Sequence, residues 1–125
     1  MKSIDAWLEL AEYDLETARV MLRTGRYLYV LFCCQQTLEK ALKALVAKQT
    51  NQFPPRTHSL MRLADIISLK LTDDQQYLFR ELSAYYISTR YTHTVQQLSA
   101  RISKTVARDL LEQTEKAQQW LRSMI

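Results

Sequence analysis

Glycine occurs once in this chain of 125 residues, and proline twice. So little punctuation disfavours all-β folds, which need many tight turns. It also leaves no material for a glycine-rich phosphate loop, which needs two or three glycines in one place. The two cysteines, Cys33 and Cys34, are neighbours. Adjacent residues on a helix do not meet disulfide geometry, and no third cysteine exists to pair with either. A reducing compartment and small buried apolar roles fit them, so a cytoplasmic location is expected. No apolar run approaches the length of a membrane span, and Asp5, Glu9, Glu12 and Asp14 make the start too acidic for a secretory leader. There is no Cys/His cluster at metal-ligand spacing, no serine nucleophile elbow and no Walker motif, so neither metal nor cofactor is expected.

What is present is helical periodicity and a modest positive charge. Apolar residues make up 47% of the chain, enough for a core at this length. The net charge of +4 permits contact with nucleotides or nucleic acid without demanding it. Ser3 is a good N-cap, and Ile4, Trp7, Leu8, Ala11, Leu15, Ala18 and Leu22 follow at helical spacing up to about Arg23. Gly25 sits where a helix end needs a left-handed residue. A second helix starts near Arg26 or Tyr27 and is apolar over more than one stripe, which places it centrally. Gln36, Lys40, Lys43 and Lys48 are expected on its solvated side, while Gln35 and Glu39 share a stripe with apolar residues and need partners if buried. Pro54-Pro55 is expected to end this segment and mark a loop, and Thr57 to cap a short third helix carrying Leu60, Leu63, Ala64 and Ile67. Thr72-Asp73 signals a fourth, fading near Tyr91. Residues Thr92 to Ala100 read as a loop, and a fifth helix starts between Ser99 and Ser103. The expected fold is all-α, an up-and-down antiparallel bundle of about five helices forming one domain over residues 1–125, with Trp7, Leu15, Phe32, Leu38, Leu42, Leu63, Leu82 and Leu110 in its core.

Two groups of residues can carry chemistry. Tyr85, Tyr86, Arg90, Tyr91 and His93 fall within nine residues. Arginine offers phosphate a planar fork, tyrosine stacks or donates a hydrogen bond, and histidine transfers protons near neutral pH. The same residues also have plain structural explanations, since a helix C-terminus favours Arg90 and tyrosines at helical spacing pack. The second group is Glu39 and Lys43, in the favourable i, i+4 order, with His58 further on. It reads either as a surface ion pair or as a buried carboxylate anchoring Lys43 or Arg90.

Taken together, these segments resemble the HEPN family. The resemblance runs from Trp7, Ala11, Asp14, Leu15 and Ala18 through Gly25-Arg26-Tyr27, Gln35-Gln36, the run Glu39 to Ala44, and Thr57-His58-Ser59-Leu60, to Tyr85-Tyr86 and Arg90-Tyr91. It implies a helical bundle that is usually a homodimer. In many members an Arg, four to six residues and then a His form a metal-independent ribonuclease site. Here His93 follows Arg90 after only Tyr91 and Thr92, and Val95, Gln96 and Gln97 stand where the nuclease histidine would fall. A related branch, which often accompanies a small nucleotidyltransferase, has Arg-Tyr-Pro-Asp where this chain has Arg90-Tyr91-Thr92-His93.

The resulting expectation is a homodimeric, cytoplasmic nucleotide- or RNA-binding module partnering a minimal nucleotidyltransferase in a toxin–antitoxin type pair, with little or no catalysis. Arg90, Tyr91, Tyr86, Lys43 and His58 would bind the ligand, and Glu39 would be a structural polar group. The alternative is a metal-independent endoribonuclease using Arg90 and His93.

Overall fold

The computed structural model of the chain describes residues 2–91 and 95–125, with the side chains of all but residues 87–91 and 95. Among the described residues there are six helices and no strand: α1 (Ile4–Arg23), α2 (Tyr27–Thr50), α3 (Leu60–Ile66), α4 (Asp73–Tyr91), α5 (Val95–Ser99) and α6 (Lys104–Ser123). None is long and apolar enough to cross a membrane.

Local signals set most boundaries. The Ser3 hydroxyl accepts from the Ala6 N–H at 3.0 Å and starts α1. Gly25, at φ 79°, ends it. There the Arg26 N–H donates to Met21 and the Gly25 N–H to Leu22, the paired bonds of a Schellman motif. Thr72 and Gln75 form a reciprocal capping box at the start of α4, each side chain accepting from the other's backbone N–H at 3.2 and 2.9 Å. Ser103 caps α6 through the Val106 N–H. Two boundaries differ from expectation. Ser59 rather than Thr57 caps α3, accepting from Arg62, while Thr57 accepts from the Ser59 N–H just before it. α2 already ends at Asn51, left-handed at φ 55°, ahead of the two prolines.

The four long helices run up and down. The start of α1 lies beside the later part of α2, with Trp7 next to Lys43. The end of α4 lies beside the start of α2, with Tyr86 stacked on Phe32. α2 packs against every other helix and carries much of the core, including Leu31, Leu38, Leu42 and Leu45, all fully buried. Its apolar excess is therefore covered within one chain and is no argument for a dimer.

Three further expectations need correction. The stretch read as a loop contains α5, a five-residue helix pinned by buried Leu98; one apolar anchor is too little for periodicity to reveal. Trp7 and Phe32 are only half-buried, Trp7 beside the ammonium groups of Lys2 and Lys43 and Phe32 between the rings of Tyr29 and Tyr86. Lys43, placed on the solvated side of α2, is buried, with its ammonium neutralised there by Glu39.

Candidate functional site

Gln35, Glu39 and Lys43 are spaced four apart on α2, so their side chains rise along one stripe of the helix. The stripe is buried: Gln35 is fully covered, and Glu39 is 4% exposed. A carboxylate at that depth must have partners, and three are present. Glu39 Oε2 receives Lys43 Nζ at 3.0 Å, and Oε1 receives His58 Nδ1 at 2.8 Å and Gln35 Nε2 at 3.2 Å. Gln35 in turn donates to the His58 carbonyl at 2.8 Å and accepts from Gln36 Nε2 at 2.7 Å. Helix α2 thus holds His58 twice, by its backbone through Gln35 and by its ring through Glu39.

This double hold decides what His58 can do. Facing a carboxylate, which has no proton to give, Nδ1 is the donor; in the neutral ring Nε2 is then the acceptor. The side chain is 56% exposed, and Nε2 has no partner among the described residues. Tyr86 backs the ring, tilted against it at 5.1 Å, and Tyr86 stacks on Phe32 at 5.3 Å with an interplanar angle of 11°. The result is an oriented imidazole with an open nitrogen, able to receive a proton or a donor from a ligand.

Among the residues singled out from the sequence, Glu39, Lys43, His58 and Tyr86 come together. Lys43 is the lysine partner expected for Glu39. Arg90 and Tyr91 belong to the last turn of α4, one turn and more beyond Tyr86, but their side chains lie outside those described, and His93 lies outside the described residues.

A family model for the HEPN domain matches residues 4–124. The chain belongs to the HEPN family. Its fold is similar to TT1696 from Thermus thermophilus, with a TM-score of 0.82, 26% identity and 100% of both chains covered. It is also similar to ST0689, an archaeal HEPN homologue, with a TM-score of 0.71, 23% identity and 98% of each chain covered. No match is found among the curated proteins.

Other chemistry in this HEPN chain is quiet. No cluster of His, Cys, Asp and Glu that could hold a metal ion occurs among the described residues. Burial pushes the Cys33 thiol up to about 11 and that of Cys34 to about 12, the opposite of an activated nucleophile. Sequence reasoning missed the part of Trp7, whose ring has Lys2 Nζ at 4.6 Å and Lys43 Nζ at 5.5 Å from its centroid. A tryptophan on an amphipathic stripe reads as core, and only the register of α1 on α2 brings the two ammonium groups to it.

Proposed function

We propose that the chain is a HEPN nucleotide- or RNA-binding module with little or no catalysis of its own, acting in the cytoplasm as a homodimer and as the partner subunit of a minimal nucleotidyltransferase. The observation that carries the binding role is His58, anchored through Nδ1 on a buried carboxylate with its other nitrogen open. It packs on Tyr86 of the helix that bears Arg90 four residues later. A phosphate-bearing ligand suits an arginine, whose fork gives charge-assisted hydrogen bonds to phosphate oxygens, together with an oriented imidazole whose open nitrogen accepts from a hydroxyl or amino group of the ligand. Family membership points the same way. The spacing of Arg90 and His93, with two residues between, departs from the ribonuclease pattern, and a misplacement of about 1 Å at a reacting centre lowers rates roughly a hundredfold.

The test measures nucleotide binding, RNA binding and RNA cleavage on one purified sample, with light scattering for the dimer and co-purification with a minimal nucleotidyltransferase. Arg90→Ala and His58→Ala are expected to weaken binding, and His93→Ala to change it less. Robust RNA cleavage that disappears in His93→Ala would replace this reading with the endoribonuclease.

A further inference from the structure

Through its second oxygen Glu39 holds Lys43, and Lys43 also forms part of the wall of another recess. This recess has a volume of about 260 Å³ and lies between the start of α1 and the loop after α2, lined by Lys2, Trp7, Lys43, Phe53, Arg56 and the Pro54-Pro55 pair. Its charge is one-sided. No carboxylate lines it; Lys43 is neutralised by Glu39, but Lys2 and Arg56 form no salt bridge among the described residues. Two cations with no carboxylate partner, Arg56 and Lys2, the latter with its Nζ 4.6 Å from the centroid of the Trp7 ring, therefore border a small concave space, the arrangement that attracts a phosphate group. Its aromatic content is equally specific. Trp7 is half-buried, and its indole N–H has no acceptor among the described residues. Phe53 is 72% exposed, so packing does not explain it, and the two prolines that follow stiffen the backbone on which it stands. Aromatic faces beside cations accept a planar base and its phosphate together. The volume lies just below the ~300–1,000 Å³ of ordinary ligand pockets, which limits the occupant to about one base with its sugar phosphate.

We propose that this recess binds a nucleoside monophosphate group, either free or as the 5′-phosphorylated end of an RNA. The base lies against Phe53 and Trp7, displacing Lys2 Nζ from the indole to the phosphate, which Lys2 then holds together with Arg56. Apart from Lys43 no described residue is common to the recess and the network around His58, so the proposal is tested separately from the functional reading above.

Trp7 reports on its own site. In a Trp120→Phe background it is the sole tryptophan of the chain, and its fluorescence is titrated with AMP, a 5′-phosphorylated tetranucleotide, adenosine and inorganic phosphate. Calorimetry on the unaltered chain repeats the titrations and carries the test if Trp120→Phe does not fold. AMP or the phosphorylated tetranucleotide is expected to bind and quench, with adenosine and phosphate each weaker than AMP. The tighter of the first two identifies the source of the group. Arg56→Ala, at an exposed loop position, is expected to weaken binding roughly tenfold, as for loss of one charge-assisted hydrogen bond. Binding in the recess does not depend on Arg90, so Arg90→Ala is expected to leave the quenching in place. The proposal is overturned if neither phosphorylated ligand binds, if Arg56→Ala binds as tightly as the parent, or if binding is lost in Arg90→Ala and kept in Arg56→Ala.

Discussion

Replacing Glu39 by glutamine keeps its shape and removes its charge. Three donors converge on the carboxylate: Lys43 Nζ on one oxygen, and His58 Nδ1 and Gln35 Nε2 on the other. An amide has one acceptor oxygen, and its NH₂ must face one of these donor groups whichever way it is turned. Turned to keep Lys43, it meets His58, which is exposed enough to rotate away or change tautomer. Turned the other way, it sets its NH₂ against the Lys43 ammonium, on a side chain 10% exposed; in both orientations that ammonium has lost its counter-charge. Removing one partner of a buried ion pair lowers stability by about 3–5 kcal/mol. The hydrogen bond that the amide oxygen keeps returns about 1 kcal/mol of that, so Glu39→Gln is expected to lose about 2–4 kcal/mol. For a chain of this length that is a fall in Tm of about 10 °C. Urea titration followed by circular dichroism measures it, with an unchanged slope showing that the unfolded state is the same. Substituting both partners, as Glu39→Leu with Lys43→Met, removes the stranded charge and is expected to recover most of the loss. A Glu39→Gln midpoint within about half a kcal/mol of the parent would refute the buried network and return the pair to an ordinary surface contact.

Gln118 on α6 is 2% exposed, and neither its amide nitrogen nor its oxygen has a partner among the described residues. Gln118→Met should therefore raise stability by about 1–3 kcal/mol, read as a higher urea midpoint, and a fall would mean that the amide is satisfied in solution. Gly25 has a φ of 79° with nothing within 4 Å of an added Cβ, so Gly25→Ala meets no clash and should lower stability by only about 1–2 kcal/mol, the conformational term alone. Buried Cys34 should react with a disulfide reagent at pH 8 only in step with unfolding, and half-buried Cys33 slowly, because burial holds both as thiols. Their folded pKa values are raised from 9.0 to about 11 and about 12, so the stability they contribute is full below pH 9 and is lost as pH rises through 11 and 12. Fast labelling of the native chain would contradict this burial.

The sequence revealed what short-range chemistry decides. Ser3, Gly25, Thr72 and Ser103 act within a few residues of themselves, and each stands at the helix end it marks. Glu39 was legible as a paired carboxylate because Leu38 and Leu42 flank it and Lys43 is one turn away on the same helix. The burial of Lys43 was not, since a lysine between Leu42 and Ala44 looks like the polar side of an amphipathic helix until its neighbours are in place. His58 reaches Glu39 from nineteen residues away, across a loop whose path is set by the hold of Gln35 on its backbone. Periodicity carries no information about such a path. For the same reason the sequence, which groups His93 with Arg90 by adjacency, could not show that His58 packs on Tyr86, the neighbour of Arg90 on α4.

Stability alone does not account for a glutamate at position 39. The site lies in the middle of the most buried helix, and well-packed apolar residues in place of a buried ion pair are often neutral or stabilising by about 1–4 kcal/mol. A leucine there would extend the packing of Leu38 and Leu42 and remove the need to bury Lys43 and Gln35. What it would lose is position. Without the carboxylate, His58 keeps only the ring contact with Tyr86 to orient it, and Lys43 loses the counter-charge that holds it between Trp7 and the bundle. Glu39 divides its two oxygens between these two residues, and each then presents an oriented polar atom at a different opening of the surface. The double substitution separates the two roles. If Glu39→Leu with Lys43→Met is as stable as the parent yet binds neither nucleotide nor RNA, the buried ion pair serves binding. If it is as stable and binds as tightly, the charge at position 39 has no part in ligand recognition.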